Sequence, residues 1–244
     1  ASALDANTTG NYCTAVGGSA LGANTSGEQN TACGLSALLS NTTGGNNTAV
    51  GLQALQNNTT ADNNTAVGLQ ALQTNSTGTR NVAVGQYALN EVTTGGTNVA
   101  IGNRALLSLE HGAQSTAVGY GAGYYATGSE NTFVGYQAGY GASGAPHSSG
   151  ERNTAVGSGA LQSSTTSSDN TAVGNAALLS NTTGHSCVAV GAQALDASTT
   201  GEENVAIGIN TLGTATTAIR NVCVGIAAGF SITTGNSNTT MGYV

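Results

Sequence analysis

Tryptophan and lysine are absent, proline occurs once, and aromatic and charged residues make up only 4% and 6% of the chain. Too few large side chains are present for a conventional globular core. Too little charge is present for the usual composition of a disordered chain. Arginine is the only strong base, four copies against eleven acidic residues, and the net charge is −7. No basic face is therefore expected for phosphates, and nucleic acid is not an expected partner. No apolar run approaches the roughly 20 residues of a membrane-spanning helix, so membrane insertion is not expected. No signal peptide precedes Ala1, as would also hold for a mature secreted segment.

What is present is a repeat. Asn47-Thr48-Ala49-Val50-Gly51 returns along the whole chain, with its glycine at 17, 34, 51, 68, 85, 102, 119, 135, 157, 174, 191, 208, 225 and 242. Eleven of the thirteen intervals are 17 residues, one is 16 and one is 22. A fixed period of this length predicts one all-β domain over residues 1–244, a parallel β-solenoid of about 14 rows. The long interval places a loop insertion near 141–152, including Gly144, Ala145, Pro146, His147, Ser148, Ser149 and Gly150. It reads as a tolerated insertion or as a binding loop.

Numbering each row from its glycine as zero turns the repeat into columns. Position −3 is always Thr or Val, −1 is always apolar, and −2 is Ala in eleven rows. This period of two predicts a strand with one bulky face and one small face that lets another backbone approach. Asn at −4 in eleven rows could form a stacked amide ladder or open the strand from a turn. A second short strand is expected around Ala at +3 and Leu at +4, with Leu inward. Gly123, Gly139 and Gly229 replace that Leu, each followed by a ring, Tyr124, Tyr140 or Phe230, expected to fill the vacated space. The rest of each row is a polar loop, with Gly at +10 expected in a left-handed turn.

The four cysteines fall in four rows. Cys13 and Cys33 sit three columns apart in neighbouring rows, roughly 11 Å at strand rise, too far for a disulfide. Cys187 and Cys223 are two rows apart, so all four read as small buried hydrophobes or substitutes in their columns.

The loops hold the residues that could carry chemistry. Gly121-x-Gly123-x-x-Ala126 fits a loose dinucleotide fingerprint, but no helix is expected after it. His111, His147 and His185 lie in separate rows without a second ligand at metal spacing, and the acidic residues are scattered. No catalytic, cofactor or metal site is expected, and the chain is not expected to be an enzyme. Ser and Thr fill +8 and +9 in most rows, as in Thr42-Thr43, Thr59-Thr60, Thr182-Thr183 and Thr199-Thr200. Such ladders could bind ice, carry O-linked glycans or simply make turns. Asn7, Asn24, Asn41, Asn75, Asn181 and Asn238 each head an Asn-x-Ser/Thr sequon.

Burying one Val and one Leu per row gains about 3–6 kcal/mol, while ordering 17 backbone residues costs about 17–34 kcal/mol. Rows must therefore stack, in an array about 65 Å long at one strand spacing per row. The chain opens with a part-row (Ala3, Leu4, Asn7, Thr8, Thr9) and closes with another (Asn238, Thr239, Thr240, Met241, Gly242, Tyr243, Val244). Joined head to tail between copies, these would make one nearly regular row, so axial polymerisation into a fibre is expected. A segment cut from a longer repeat protein would leave the same ends.

The run carried by Asn64-Thr65-Ala66-Val67-Gly68 with Ala71-Leu72, and by Asn98-Val99-Ala100-Ile101-Gly102 with Ala105-Leu106, resembles known repeats. It is similar to the head repeats of YadA-like trimeric autotransporter adhesins and to repeat regions of phage tail fibres. The resemblance implies a left-handed parallel β-roll, extracellular or surface placement, and a trimer whose small Ala/Gly faces pack together. The expectation is a non-catalytic extracellular structural subunit whose partner is itself, as an axial polymer. The alternative is a homotrimeric adhesin or tail-fibre head that binds glycans or a cell-surface receptor, and an ice-binding solenoid comes third.

Overall fold

The structure, a computed structural model, describes residues 2–142 and 147–243. Val244 of the C-terminal part-row, and Gly144, Ala145 and Pro146 of the insertion, lie outside the described residues. The chain is an all-β parallel β-solenoid with no helix among the described residues. It divides into two compact units, Ala1–Val118 and Gly119–Val244.

The first unit holds β1 (Thr14–Val16), β2 (Thr31–Cys33), β3 (Thr48–Val50), β4 (Thr65–Val67), β5 (Val82–Val84), β6 (Val99–Ile101) and β7 (Thr116–Val118). The second holds β8 (Thr132–Val134), β9 (Thr154–Val156), β10 (Thr171–Val173), β11 (Val188–Val190), β12 (Val205–Ile207), β13 (Val222–Val224) and β14 (Thr239–Met241). Within each unit consecutive strands pair in parallel with like columns opposed, for example Ala49↔Ala66 and Val173↔Val190. The 22-residue interval leaves that register intact, since Thr132 still pairs Thr154.

Each strand is three residues long because β-branched side chains at −3 and −1 favour extended backbone and the glycine then ends it. The zero-position glycines have φ of 124–144°, a conformation L side chains rarely adopt. A Cβ built on Gly51 would also land on the carbonyl oxygen of Gly68 in the next row. Only glycine meets both conditions.

The expected second strand is instead a ladder of turns. Leu38 donates its N–H to Ala54 O at 3.0 Å across rows, while Asn41 N–H closes back on Leu38 O at 3.2 Å. Positions +2 and +4 are left-handed, as at Gln53 (φ 57°) and Leu55 (φ 50°), and every Leu at +4 has φ between 48° and 53°. That conformation costs roughly 1–2 kcal/mol per residue. Full burial of a leucine returns about 1.5–3 kcal/mol, and the inter-row bond adds to it. Gly123, Gly139 and Gly229 adopt the same conformation at φ 57–67° without the steric cost.

Two further expectations are corrected. The space left at Gly139 is filled by Phe133, which replaces Ala at −2 of the same row, and that at Gly229 by Cys223, again at −2. The rings of Tyr124 and Tyr140 stay half-buried at the surface, and Phe230 is exposed. The +10 glycines are not left-handed; a Cβ at Gly27 would instead strike the carbonyl oxygen of Gly44. The left-handed loop residue comes two columns later, at Gln29, Asn46 and Asn63, with φ of 58–62°.

The core is correspondingly narrow. Ala at −2, Ala at +3 and Leu at +4 are fully buried, as at Ala66, Ala71 and Leu72. The small face of the strand therefore points inward, and the bulky Thr/Val and Val columns point out, the reverse of an inward valine. This also removes the Ala faces from any contact between copies. All four cysteines are free; Cys187 and Cys223 are buried, Cys13 is half-buried, and Cys33 is exposed because it sits in the outward −1 column.

Candidate functional site

The outward face of the sheet is built by three columns, −3, −1 and +1. Its strands show the pattern half-buried, buried, half-buried, as in β4, β5, β9 and β10. Beyond the strand the face continues through Leu35 (57% exposed) and Leu52 (43%) in the first unit, and Ile209 (53%) and Ile226 (48%) in the second. No charged residue occupies any of the three columns. Tyr120 and Tyr136 at +1 stack with ring centroids 5.5 Å apart and planes 12° apart.

Two asparagine ladders run behind this face. At −4, the N–H of Asn64 donates to Asn47 Oδ1 at 2.9 Å and that of Asn81 to Asn64 Oδ1 at 2.9 Å. The Nδ2 of Asn47 meanwhile donates to Ala61 O at 2.8 Å. The same pattern recurs in the second unit, where Asn153 N–H donates to Asn131 Oδ1 and Asn170 N–H to Asn153 Oδ1. Laddering and strand opening are thus one arrangement: each amide satisfies the backbone donor at the bend of the next row. Cys187 substitutes in this column, its Sγ 3.4 Å from Gly201 O where an Asn Nδ2 would donate.

The second ladder, at +7, was hidden in the sequence inside the sequons. Asn24, Asn41, Asn58 and Asn75 each donate Nδ2 to the Oδ1 of the asparagine one row before, at 2.9, 2.8, 2.7 and 3.2 Å. Val92 ends the ladder, and Asn75 Oδ1 is left buried without a hydrogen-bond partner. Asn24, Asn41, Asn75 and Asn181 are fully buried, so in the folded chain their amides face the interior. Asn7 and Asn238 are half-buried and also bonded, to Gly10 O and Asn221 Oδ1.

The paired hydroxyls divide. At +8, Thr42, Thr59, Thr182 and Thr199 are half-buried and donate to the backbone carbonyl of the next row at 3.0–3.2 Å. At +9, Thr43, Thr60, Thr183 and Thr200 are exposed.

The residues expected to assemble copies are stacked on their own neighbouring rows. Leu4 N–H donates to Ala20 O, Thr8 and Thr9 N–H share Thr25 O, and Asn7 Oδ1 accepts from Asn24. Ala3 is exposed. Thr239, Thr240 and Met241 form β14 on β13, Gly242 N–H donates to Val224 O, and Met241 and Tyr243 are 80% and 82% exposed.

Apart from Asp196 at +5, the charged residues of the second unit line a strip at −6 and −5. Arg152 contacts both oxygens of Asp169, at 2.7 and 3.1 Å, and also Glu151 at 3.1 Å. Arg220 reaches Glu203 at 2.8 Å and His185 reaches Glu202 at 3.2 Å. The hydrogen bond from Arg152 holds the Asp169 carboxyl below its ordinary range, and Arg220 does the same for Glu203. Burial pushes Asp196 the other way. His111 contacts the hydroxyls of Thr93 and Thr94 at 3.1 Å. Among the described residues no group of three or more His, Cys, Asp or Glu is placed to hold a metal.

No protein-family model matches the chain, and no curated protein matches it.

Proposed function

We propose that this chain is a non-catalytic structural module of an extracellular or surface fibre or adhesin. It works by packing side by side with identical copies through the charge-free −3/−1/+1 face, as a homotrimer. The observation that carries this reading is the run of half-exposed apolar side chains on a sheet face whose inner side is already filled. Covering the exposed half of one such side chain is worth about 1 kcal/mol. One row therefore cannot offset the roughly 4–15 kcal/mol cost of association, whereas the apolar −1 column of seven rows, with Leu35, Leu52 and Leu69 beside it, reaches that range. A face of this kind left bare would also be an association hazard. The resemblance of Asn64–Gly68 and its copies to trimeric adhesin heads favours three copies over two. In this reading the exposed loops, with Thr43, Thr60, Thr183 and Thr200, are what the assembly presents to a receptor or glycan.

Sedimentation equilibrium of the purified chain tests it. The expected mass is three times 23.7 kDa. A monodisperse monomer overturns the proposal, and long filaments would point instead to axial stacking.

A further inference from the structure

Five of the eight tyrosines fall between residues 120 and 140. Two of them belong to the sheet face already described. The other three, Tyr124, Tyr125 and Tyr140, form a separate half-buried patch on the +5 and +6 columns. Tyr124 and Tyr140 have ring centroids 5.1 Å apart, and Tyr125 stands edge-on to both at 4.5 and 5.4 Å.

These rings pack on one another at the surface and not in the interior. The interior space beside Gly139 is taken by Phe133, so Tyr140 is surplus to the core of its own row. It lies instead over Gly121, where a Cβ would sit 3.2 Å from the ring. The +2 column is bare again at Gly159, although most rows carry a side chain there. Beside Tyr140 lies a groove of about 310 Å³ lined by Tyr140, Gly141, Ala142, Gln162 and Ser163. Gln162 Nε2 donates to Gln137 Oε1 at 2.9 Å, which fixes both amides at the groove edge. The second amide hydrogen and the carbonyl oxygen of Gln162 remain to meet a ligand.

We propose that this groove is a binding site for a neutral, linear polysaccharide of gluco-type pyranoses. Such sugars present axial C–H groups on their ring faces, which match the electron-rich face of tyrosine, and equatorial hydroxyls at their edges, which match an amide and a serine hydroxyl. None of the described lining residues is charged, so a charged ligand would find no counter-ion there. The site lies on other columns than the self-association face, so either can fail without the other.

Isothermal titration of the full chain with cellohexaose and chitohexaose tests this. Saturable binding of either sugar is expected. Tyr140→Ala and Gln162→Ala each weaken it about tenfold, the loss of one stacking or bidentate contact, and Thr183→Ala leaves it unchanged. Thermal melts confirm that each variant folds, and Gln162→Ala, at the surface, serves if Tyr140→Ala does not. Absence of binding by both sugars, equal binding by the groove variants, or saturable binding of a decaproline peptide that displaces the sugar overturns the proposal.

Discussion

Phe133 lies in the space where other rows put a leucine: a Cβ on Gly139 would run into its ring. Two departures from the repeat, large for Ala at −2 and Gly for Leu at +4, thus cancel within one row. Phe133→Ala alone leaves a cavity and should cost about 3–5 kcal/mol. Phe133→Ala with Gly139→Leu restores the ordinary row and should recover most of that loss. Urea denaturation of both variants decides the point, and a double variant no more stable than the single one would contradict the pairing.

The +7 ladder has an interior and an end. Asn41→Val leaves Asn24 Oδ1 without its donor and one of the two Asn58 Nδ2 hydrogens without its acceptor, the other keeping Ala61 O. Asn75→Val removes an oxygen that already has no partner and strands only Asn58 Oδ1. With about 1–3 kcal/mol for each unsatisfied buried group, Asn41→Val should be the more destabilising by at least about 1 kcal/mol. Equal losses in thermal denaturation would show that the amide ladder is not what holds these rows.

Cys187 is a weak substitute for asparagine. Its thiol reaches Gly201 O, and burial raises it above its ordinary range. Cys187→Asn supplies a stronger donor to Gly201 O and an oxygen for the N–H of Asn204, as its neighbours in the column do. The expected gain is about 1 kcal/mol, a rise of roughly 2–4 °C in Tm. An unchanged or lower Tm would mean that the column cannot take asparagine there.

The arginine pairs give the second unit an acid-sensitive contribution. Asp169 and Glu203 have folded-state pKa values lowered by Arg152 and Arg220. A lowered value contributes stability above the unfolded pKa and loses it as pH falls through the folded one. The loss should therefore begin near about pH 4 and grow on further acidification. Asp196, raised by burial, acts in the opposite sense, its contribution fading as pH rises through its folded value. Melts from neutral to strongly acid pH should show a shallower acid decline for Arg152→Met/Arg220→Met than for the unaltered chain. Both pairs are exposed, so the difference is small, and parallel curves would remove their role.

The period, the inward leucines and the asparagine column were legible in the sequence because each is a repeated chemical choice at a fixed position. The facing of the strand was not. Ala66 and Val67 alternate either way round, and hydrophobicity alone sends Val67 inward, whereas Ala71, Leu72 and the two asparagine columns already fill the interior. Nor was the conformation of Leu55 legible, since a left-handed leucine is rare; the glycines at 123, 139 and 229 were the only trace of it. Asn41 and Asn75 read as sequons because a buried amide ladder and an exposed acceptor site share the same letters.

Charge placed on the outward sheet face should separate the copies that it is proposed to join. Leu52→Asp with Ile209→Asp places one charge on that face in each unit at positions already 43% and 53% exposed, so the fold itself should persist. In sedimentation equilibrium, with circular dichroism unchanged, this variant should fall to the 23.7 kDa monomer while Thr60→Asp, on the exposed loop column, keeps the assembled mass. An unaltered assembly in the double variant would show that this face does not join the copies.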